Sequence, residues 1–384
     1  MHQELRDVEY KVYTRDLYGR DWWVLKVLQV INNLSGGGAE KLVTEISIEL
    51  NRKQIKTDIL IFNNNDDKYT DILNKNGIRI INLNQKNIYN PMIIFKVIKY
   101  LKNYDVIHVH LFPAFYWIAL SSFFIRKNLK LIYTEHSNHN KRRDIKFLKF
   151  LEKYIYSKYN QIISITNEVQ SNLINWIKPK DRLKYKVINN GINLDRYKKA
   201  KKYDKNELVE SLPENSVIIT MVSRFSEAKD QKTLIKAMKY LPDNYHLLLV
   251  GEGKLKKECE NLSRDLNLEN RVHFLGFRKD IPEIFKTSDV IVQSSHWEGF
   301  GLTAVEAMAS GKPVIVSNVP GLVNVVGISE TTFNVGDYEQ LKNIILKLVK
   351  DNNYYTFVSK KAKNLAIKYD IKYMIDKIIK CYYE

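Results

Sequence analysis

The stretch Asp289-Val-Ile-Val-Gln293 runs on as Ser-Ser-His-Trp-Glu298-Gly299-Phe300-Gly301-Leu302-Thr303-Ala-Val-Glu306, crossing a loop with two glycines into a helical pattern. A short Val/Ile run of this kind reads as a strand buried on both faces, the habit of a parallel sheet. The helix is expected to begin near Thr303. Glu298 in the loop and Glu306 in the helix then stand with seven residues between them. Gly299 and Gly301 let backbone amides approach a ligand closely, and a helix N-terminus favours an anion. Sugar hydroxyls and phosphates suit such a cleft. Thr303-Ala-Val-Glu306 also reads as a capping box, with Glu306 reaching back to the Thr303 amide.

The same strand–loop–helix step recurs along the chain. Residues 24–31, 57–62, 78–83, 105–110, 129–134 and 161–165 read as strands separated by helical segments, and the pattern restarts at 216–222. It continues through 245–250, 271–275, 289–293 and 313–317. This βαβ alternation predicts an α/β protein of two doubly wound, Rossmann-like domains facing one another, with ligands at the carboxyl ends of the strands. The expected division is an N-terminal extension (1–23), a first domain (24–195), a second domain (196–366) and a C-terminal helix (367–384) packing back toward the first. Lys198-Lys-Ala-Lys-Lys-Tyr-Asp-Lys205 reads as a solvated linker and Asn189-Asn-Gly191 as a hinge turn.

A chain of 384 residues with 45% hydrophobic content is large enough for two cores. Two cysteines, Cys259 and Cys381, lie far apart without metal-ligand spacing, which suits a reducing cytoplasm. The start shows no apolar signal segment. The longest apolar run, Leu111 to Ile125, contains Pro113 and falls short of the roughly 20 residues of a membrane span, so it is expected as a buried helix. A net charge of +18 and a pI near 9.4 suit nucleotide sugars, anionic lipid headgroups or nucleic acid. No aromatic–basic nucleic-acid module is recognisable, which argues against that last partner.

Several residues are candidates for chemistry. Arg224 and Lys229 follow the strand at 217–222, at a rim where guanidinium and ammonium groups hold phosphates; a pair of solvated surface bases is the alternative. Gly36-Gly37-Gly38 follows the first strand and opens a helix, as an anion-binding lip or a plain tight turn. The dinucleotide fingerprint Gly-x-Gly-x-x-Gly is absent there, against an NAD reading. His136 ends the strand at 129–134, while His108 and His110 alternate on another. No Asp-x-Asp motif or credible metal-ligand spacing occurs, so the expectation is no cofactor and no metal. Lys141-Arg-Arg-Asp-Ile-Lys-Phe-Leu-Lys-Phe-Leu-Glu-Lys-Tyr-Ile-Tyr156 combines a basic cluster with helical apolar spacing. It reads as a membrane-surface helix or an ordinary helix with a basic face.

Ser294 to Leu302, continuing to Glu306-Ala-Met-Ala-Ser-Gly-Lys-Pro313, resembles the signature of the family 4 retaining glycosyltransferases of GT-B fold. In family order the chain also carries Gly36-Gly-Gly-Ala-Glu40, Thr134-Glu-His-Ser137, Val187-Ile-Asn-Asn-Gly-Ile192, Arg224-Phe-Ser-Glu-Ala-Lys229 and Leu249-Val-Gly-Glu-Gly253. The resemblance implies an acceptor-binding first domain and a donor-binding second domain. It implies that Arg224 and Lys229 bind the donor diphosphate, with Gly37 and Gly38 on the donor as well. By the same likeness His136 lies by the reaction centre, Glu298 accepts from donor-sugar hydroxyls and Glu306 from the ribose. The amides of Phe300, Gly301 and Leu302 then line the diphosphate, and Gly276-Phe277-Arg278 approaches the base.

The resulting expectation is a cytoplasmic, metal-independent retaining glycosyltransferase, peripheral on the inner face of the membrane. It moves a sugar, as a hexosyl or N-acetylhexosaminyl group from a UDP-sugar, to a glycan or lipid-linked acceptor in polysaccharide assembly. The rivals are a nucleotide-sugar epimerase or hydrolase of the same fold and a non-catalytic basic protein binding membrane or nucleic acid.

Overall fold

In the computed structural model, residues 25–384 are described apart from 65–67, 126–128, 139–140, 146–147 and 211. The expected extension at 1–23 lies outside the described residues. Among the described residues, thirteen strands form two sheets. The first holds β1 (Lys26–Ile31), β2 (Lys56–Ile61), β3 (Ile80–Asn82), β4 (Val106–His110), β5 (Lys130–Glu135), β6 (Gln161–Ser164) and β7 (Tyr185–Val187), in the order β3-β2-β1-β4-β5-β6-β7. The second holds β8 (Val217–Val222), β9 (Tyr245–Val250), β10 (Val272–Gly276), β11 (Val290–Gln293), β12 (Val314–Ser317) and β13 (Thr332–Phe333), in the order β10-β9-β8-β11-β12-β13.

The pairs β1–β2, β1–β4, β8–β9 and β8–β11 are all parallel, as uniformly apolar strands require. Each sheet reverses its winding beside its first strand, between β1 and β4 and between β8 and β11. Such reversal points are where loops diverge and ligands bind. In the second sheet the diverging loops are 223–230 and 294–301. Gln293, 1% exposed, donates from Nε2 to the Val222 carbonyl at 3.2 Å and so ties the ends of β8 and β11. The Leu111–Ile125 run forms the buried helix Ala114–Ser121, followed by a 3-10 turn at Ser122–Phe124.

The described residues divide into two compact units, one up to residue 133 with 155–160, the other of 134–154 with 161–384. This contact-based division cuts the first sheet, whose seven strands all lie before the expected boundary at 195/196. The Ile192 amide donates to the Tyr369 carbonyl at 2.9 Å, and Ile371 returns a bond to the Ile192 carbonyl at 2.9 Å. A Cβ on Gly191 would stand 2.7 Å from the Ile371 Cα, so only glycine admits this approach. The Lys198–Lys205 stretch is exposed along most of its length and irregular from Ala200 to Asp204, as expected of a solvated linker. Helix Leu194–Lys199 buries Leu194 and Tyr197, and the charged residues face outward from it.

Candidate active site

The second unit assembles its site on three backbones brought together by glycine. After β8 the chain turns through 223–230, held by Phe225 N donating to the Glu252 carbonyl at 3.1 Å. Gly251 and Gly253 make room for that turn, because a Cβ on them would lie 2.1 Å from the Ser223 carbonyl oxygen and 2.2 Å from that of Phe225. Both also have φ values, +141° and +155°, that favour glycine. Gln231 Nε2 bonds Ser223 Oγ at 2.9 Å and the Arg224 carbonyl at 3.1 Å, fixing the loop and leaving the Arg224 guanidinium exposed.

Lys229 bridges to Ser295 in the loop after β11, with Asp230 N donating to the Ser294 carbonyl at 3.1 Å and His296 N to the Ala228 carbonyl at 2.9 Å. Its ammonium is not a free surface charge. It donates to the Glu298 carboxylate and lies 3.3 Å from Ser295 Oγ, with the Lys229 and Glu298 side chains 18% and 21% exposed. Burial raises the Glu298 pKa, but the Lys229 charge and hydrogen bond and the amides of Gly299 and Phe300 outweigh it. The carboxyl is therefore held below its ordinary range. Glu298 Oε1 accepts the Gly299 amide at 3.0 Å.

The main chain of Glu298 is enclosed on two sides. A Cβ on Gly299 would stand 2.7 Å from the His136 carbonyl, and one on Gly321 would stand 2.2 Å from the Glu298 carbonyl. Asn138 donates to that same carbonyl at 3.2 Å, and Arg143, 3.2 Å from Glu135, donates to Asn138 O at 3.0 Å. His136 therefore lies against the Glu298 loop. Desolvation lowers its pKa to about 4, so it is a neutral imidazole near pH 7.

Helix Leu302–Ala309 starts one residue before the expected Thr303. Its N-cap is Gly301 in the left-handed region (φ +84°), and no side chain caps it. The capping-box reading of Thr303 and Glu306 is thereby overturned, since Thr303 lies inside the first turn. Ala304 N donates to the Gly301 carbonyl at 2.9 Å, and with no side-chain cap the Leu302 and Thr303 amides before it are left to an anion. Glu306 is 3% exposed within the helix.

Gly276 ends β10 with φ +65° and Phe277 is 37% exposed. Arg278 is already engaged, since its Nε donates to Asp280 Oδ1 at 2.8 Å and Asp280 Oδ2 accepts from Tyr203 at 3.0 Å. In the first unit Gly36 has φ +98° and Gly37 is the N-cap of helix Gly38–Arg52, also without a side-chain cap. His108 and His110 are fully buried, and His110 Nε2 lies 2.8 Å from Gln29 Oε1. Among the described residues, no group of three or more His, Cys, Asp or Glu side chains is arranged to hold a metal ion.

Part of the basic segment at 141–156, read as a membrane-surface or an ordinary helix, is engaged within the protein. Arg142 pairs at 2.7 Å with the fully buried Glu152 and Arg143 with Glu135, so both arginines brace the protein itself. Lys146 and Phe147 of that segment lie outside the described residues.

Two supports escaped the sequence reading. Asp230 Oδ1 caps helix Gln231–Met238 through the Thr233 amide at 3.1 Å, which anchors Lys229 next to it. Gly321 makes the close approach to Glu298. The Asp-x-x-Thr spacing is a legible cap signal; the Gly321 contact has no local signal.

Residues 203–365 match the family described as glycosyl transferases group 1, and residues 36–196 the family described as glycosyltransferase family 4. A curated relative, UDP-Gal:alpha-D-GlcNAc-diphosphoundecaprenol alpha-1,3-galactosyltransferase of Escherichia coli, is 30% identical over 313 residues, covering 76% of this chain and 78% of its own. The chain belongs to the family 4 glycosyltransferases. Another relative of this glycosyltransferase is N,N'-diacetylbacillosaminyl-diphospho-undecaprenol alpha-1,3-N-acetylgalactosaminyltransferase of Campylobacter jejuni. It is 29% identical over 204 residues, 50% of this chain and 52% of that one. Among solved structures, Anabaena Alr3699/HepE in complex with UDP-glucose superposes with a TM-score of 0.80 at 25% identity, over 93% of this chain and 98% of that one. The two parallel sheets are those of the GT-B fold.

Proposed function

We propose that this glycosyltransferase moves a hexosyl or N-acetylhexosaminyl group from a UDP-sugar to a glycan carried on a lipid diphosphate, with retention and without a metal ion. It acts in surface-polysaccharide assembly, at the cytoplasmic face of the membrane. The observation that carries this reading is the Lys229–Glu298 pair, set beside the open amides of helix Leu302–Ala309 and the exposed Arg224. The UDP-glucose complex of the similar Anabaena protein and the diphosphoundecaprenol substrates in the relatives' names support the donor and acceptor classes.

In this reading the acceptor hydroxyl attacks the anomeric carbon as the bond to the diphosphate oxygen breaks. Its proton passes to the departing diphosphate. Arg224, Lys229 and the amides of Gly301 and Leu302 take up the charge that grows there, a preorganised role worth several kcal/mol in comparable sites, while the Phe300 amide is engaged by Glu298. Glu298, held ionised, accepts from sugar hydroxyls and orients the ring. Neutral His136 positions the donor by hydrogen bonding, Glu306 takes the ribose and Gly276-Phe277 the base. Glu298 is engaged by Lys229 and the Gly299 amide, which suits a hydrogen-bonding role better than that of a covalent nucleophile. Retention then follows from attack on the leaving-group face, in keeping with the α-1,3 linkages in the relatives' names.

A thermal-shift series with UDP, GDP and their sugars tests the donor. A ligand at a hundredfold excess over Kd stabilises by about 2.7 kcal/mol, a shift of several degrees. UDP-sugars are expected to shift the melt most. Turnover of the donor at the same rate with and without a lipid-diphosphate glycan would sink the transferase reading in favour of an epimerase or hydrolase.

A further inference from the structure

The first unit carries an outward face of aromatic and basic residues that the transfer chemistry does not use. Helix Ile93–Leu101 buries Ile93, Val97 and Leu101 at four-residue spacing and turns Met92, Phe95, Lys96 and Lys99 to solvent. A surface helix normally keeps its large apolar groups inward. Here Met92 and Phe95 are both 54% exposed. The 3-10 turn Ser122–Phe124 places Phe124, 56% exposed, with its ring centroid 5.5 Å from that of Phe95. Phe123, 49% exposed, carries the Lys158 ammonium 4.4 Å from its ring centre. Four large apolar groups thus stand together outside the core, which is unusual for a solvated surface.

Along the sequence that carries them the charge is nearly of one sign, with Asp105 the one carboxylate between Ile72 and Thr134. From Ile72 to Tyr104 the sequence holds Lys75, Arg79, Lys86, Lys96, Lys99 and Lys102 and no Asp or Glu, and from Val106 to Thr134 it again holds none. Exposed aromatic groups on lysine-rich segments, one ring carrying the Lys158 ammonium, fit an interface that is apolar beneath and anionic on top. We propose that the face formed by Met92, Phe95, Phe123 and Phe124 with Lys96 and Lys99 docks onto an anionic lipid bilayer. The phenyl rings enter the headgroup boundary and the lysines meet lipid phosphates. Helix Leu148–Ser157 also exposes Phe150, Leu151 and Tyr154, but the arginines that precede it are paired with Glu135 and Glu152, so it serves as the comparison surface. The assignment deepens the reading of a membrane-borne acceptor and uses no part of the donor site.

The test is cosedimentation of the full-length chain with phosphatidylcholine vesicles, with and without phosphatidylglycerol, in the absence of nucleotide sugar. The wild type is expected to pellet with the anionic vesicles only, and less as salt rises. Phe95→Ser with Phe124→Ser should lower partitioning roughly tenfold or more, the effect of withdrawing two partly inserted rings. Lys96→Gln with Lys99→Gln should lower it several-fold per lysine. Phe150→Ser, on the 82%-exposed ring of helix Leu148–Ser157, should leave it unchanged. All these side chains are exposed, so wild-type melting and an unchanged UDP-induced thermal shift establish that each variant is folded. Equal binding to neutral vesicles, no binding by the wild type, or loss in Phe150→Ser with retention in both double variants would overturn the assignment. Vesicle binding without any UDP shift would leave this surface standing and count against the donor reading alone.

Discussion

Glu298→Gln separates two roles that the geometry joins in one side chain. The carboxamide keeps the shape and can still accept from the Gly299 amide, which now bonds Glu298 at 3.0 Å. What it removes is one negative charge beside the Lys229 ammonium. Both side chains are about one-fifth exposed, at 18% and 21%, so water screens the pair only in part. A carboxylate roughly 8 Å from a bound diphosphate repels it by about 2 kcal/mol per unit charge at an effective dielectric near 20, and salt trims this toward about 1. UDP should therefore bind the variant roughly 5- to 30-fold more tightly. Turnover should move the other way, falling by about 100-fold, as the ring loses a charged hydrogen-bond acceptor and its alignment. Calorimetric titration of UDP together with steady-state kinetics at varied donor reads both quantities. Weaker UDP binding with unchanged kcat would refute the reasoning, for then Glu298 would serve only to prop Lys229.

Arg224→Ala removes an exposed guanidinium, so its melt should stay within about 0.5 kcal/mol of wild type while turnover drops by roughly two orders of magnitude; full activity would remove Arg224 from the site. Transfer should survive EDTA, since Arg224, Lys229 and helix amides supply the charge that a divalent ion supplies elsewhere; loss restored by magnesium or manganese would show otherwise. Burial holds His136 and His273 near pKa 4, below the ordinary 6.5, and lowers His246 as well. The native state then binds fewer protons than the unfolded chain between about pH 6.5 and 4. Stability present above pH 6.5 should decline by on the order of 3 kcal/mol toward pH 4, after allowance for solvent screening, and a flat melting profile across that window would contradict these shifts.

The strands carrying the two sheets were legible because a strand buried on both faces needs an unbroken apolar run, as in Val-Ile-Ile-Thr-Met-Val222 and Tyr-His-Leu-Leu-Leu-Val250. Tyr185-Lys-Val187 and Thr332-Phe333 were missed, since two or three residues with a polar member show no period. The Glu298 loop was legible in composition and illegible in mechanism. Thr303-Ala-Val-Glu306 satisfies the capping-box spacing, yet the helix begins earlier because Gly301 enters the left-handed region, which Thr303 would not readily adopt. Likewise Lys141-Arg-Arg143 reads as a free basic cluster. Its pairing with Glu135 and Glu152 depends on folding, which no local pattern reports.

The glycines show why the site's residues are spaced as they are. Gly299 lets the loop touch the His136 carbonyl, and Gly321 touches the Glu298 carbonyl from another segment. A Cβ at either point would meet main-chain atoms that cannot rotate away, so the approach is set by backbone alone. Gly301 then reverses the chain so that helix amides begin immediately after the carboxylate. Glu298 is thus located by its own main chain before any side-chain bond forms. Lys229 is located independently, by the bridge to Ser295 and by the Asp230 cap. Two charges fixed separately and then paired form a site that needs little rearrangement to receive an anion. Preorganisation of that kind, rather than net charge, distinguishes Lys229 from the other lysines of a strongly basic chain.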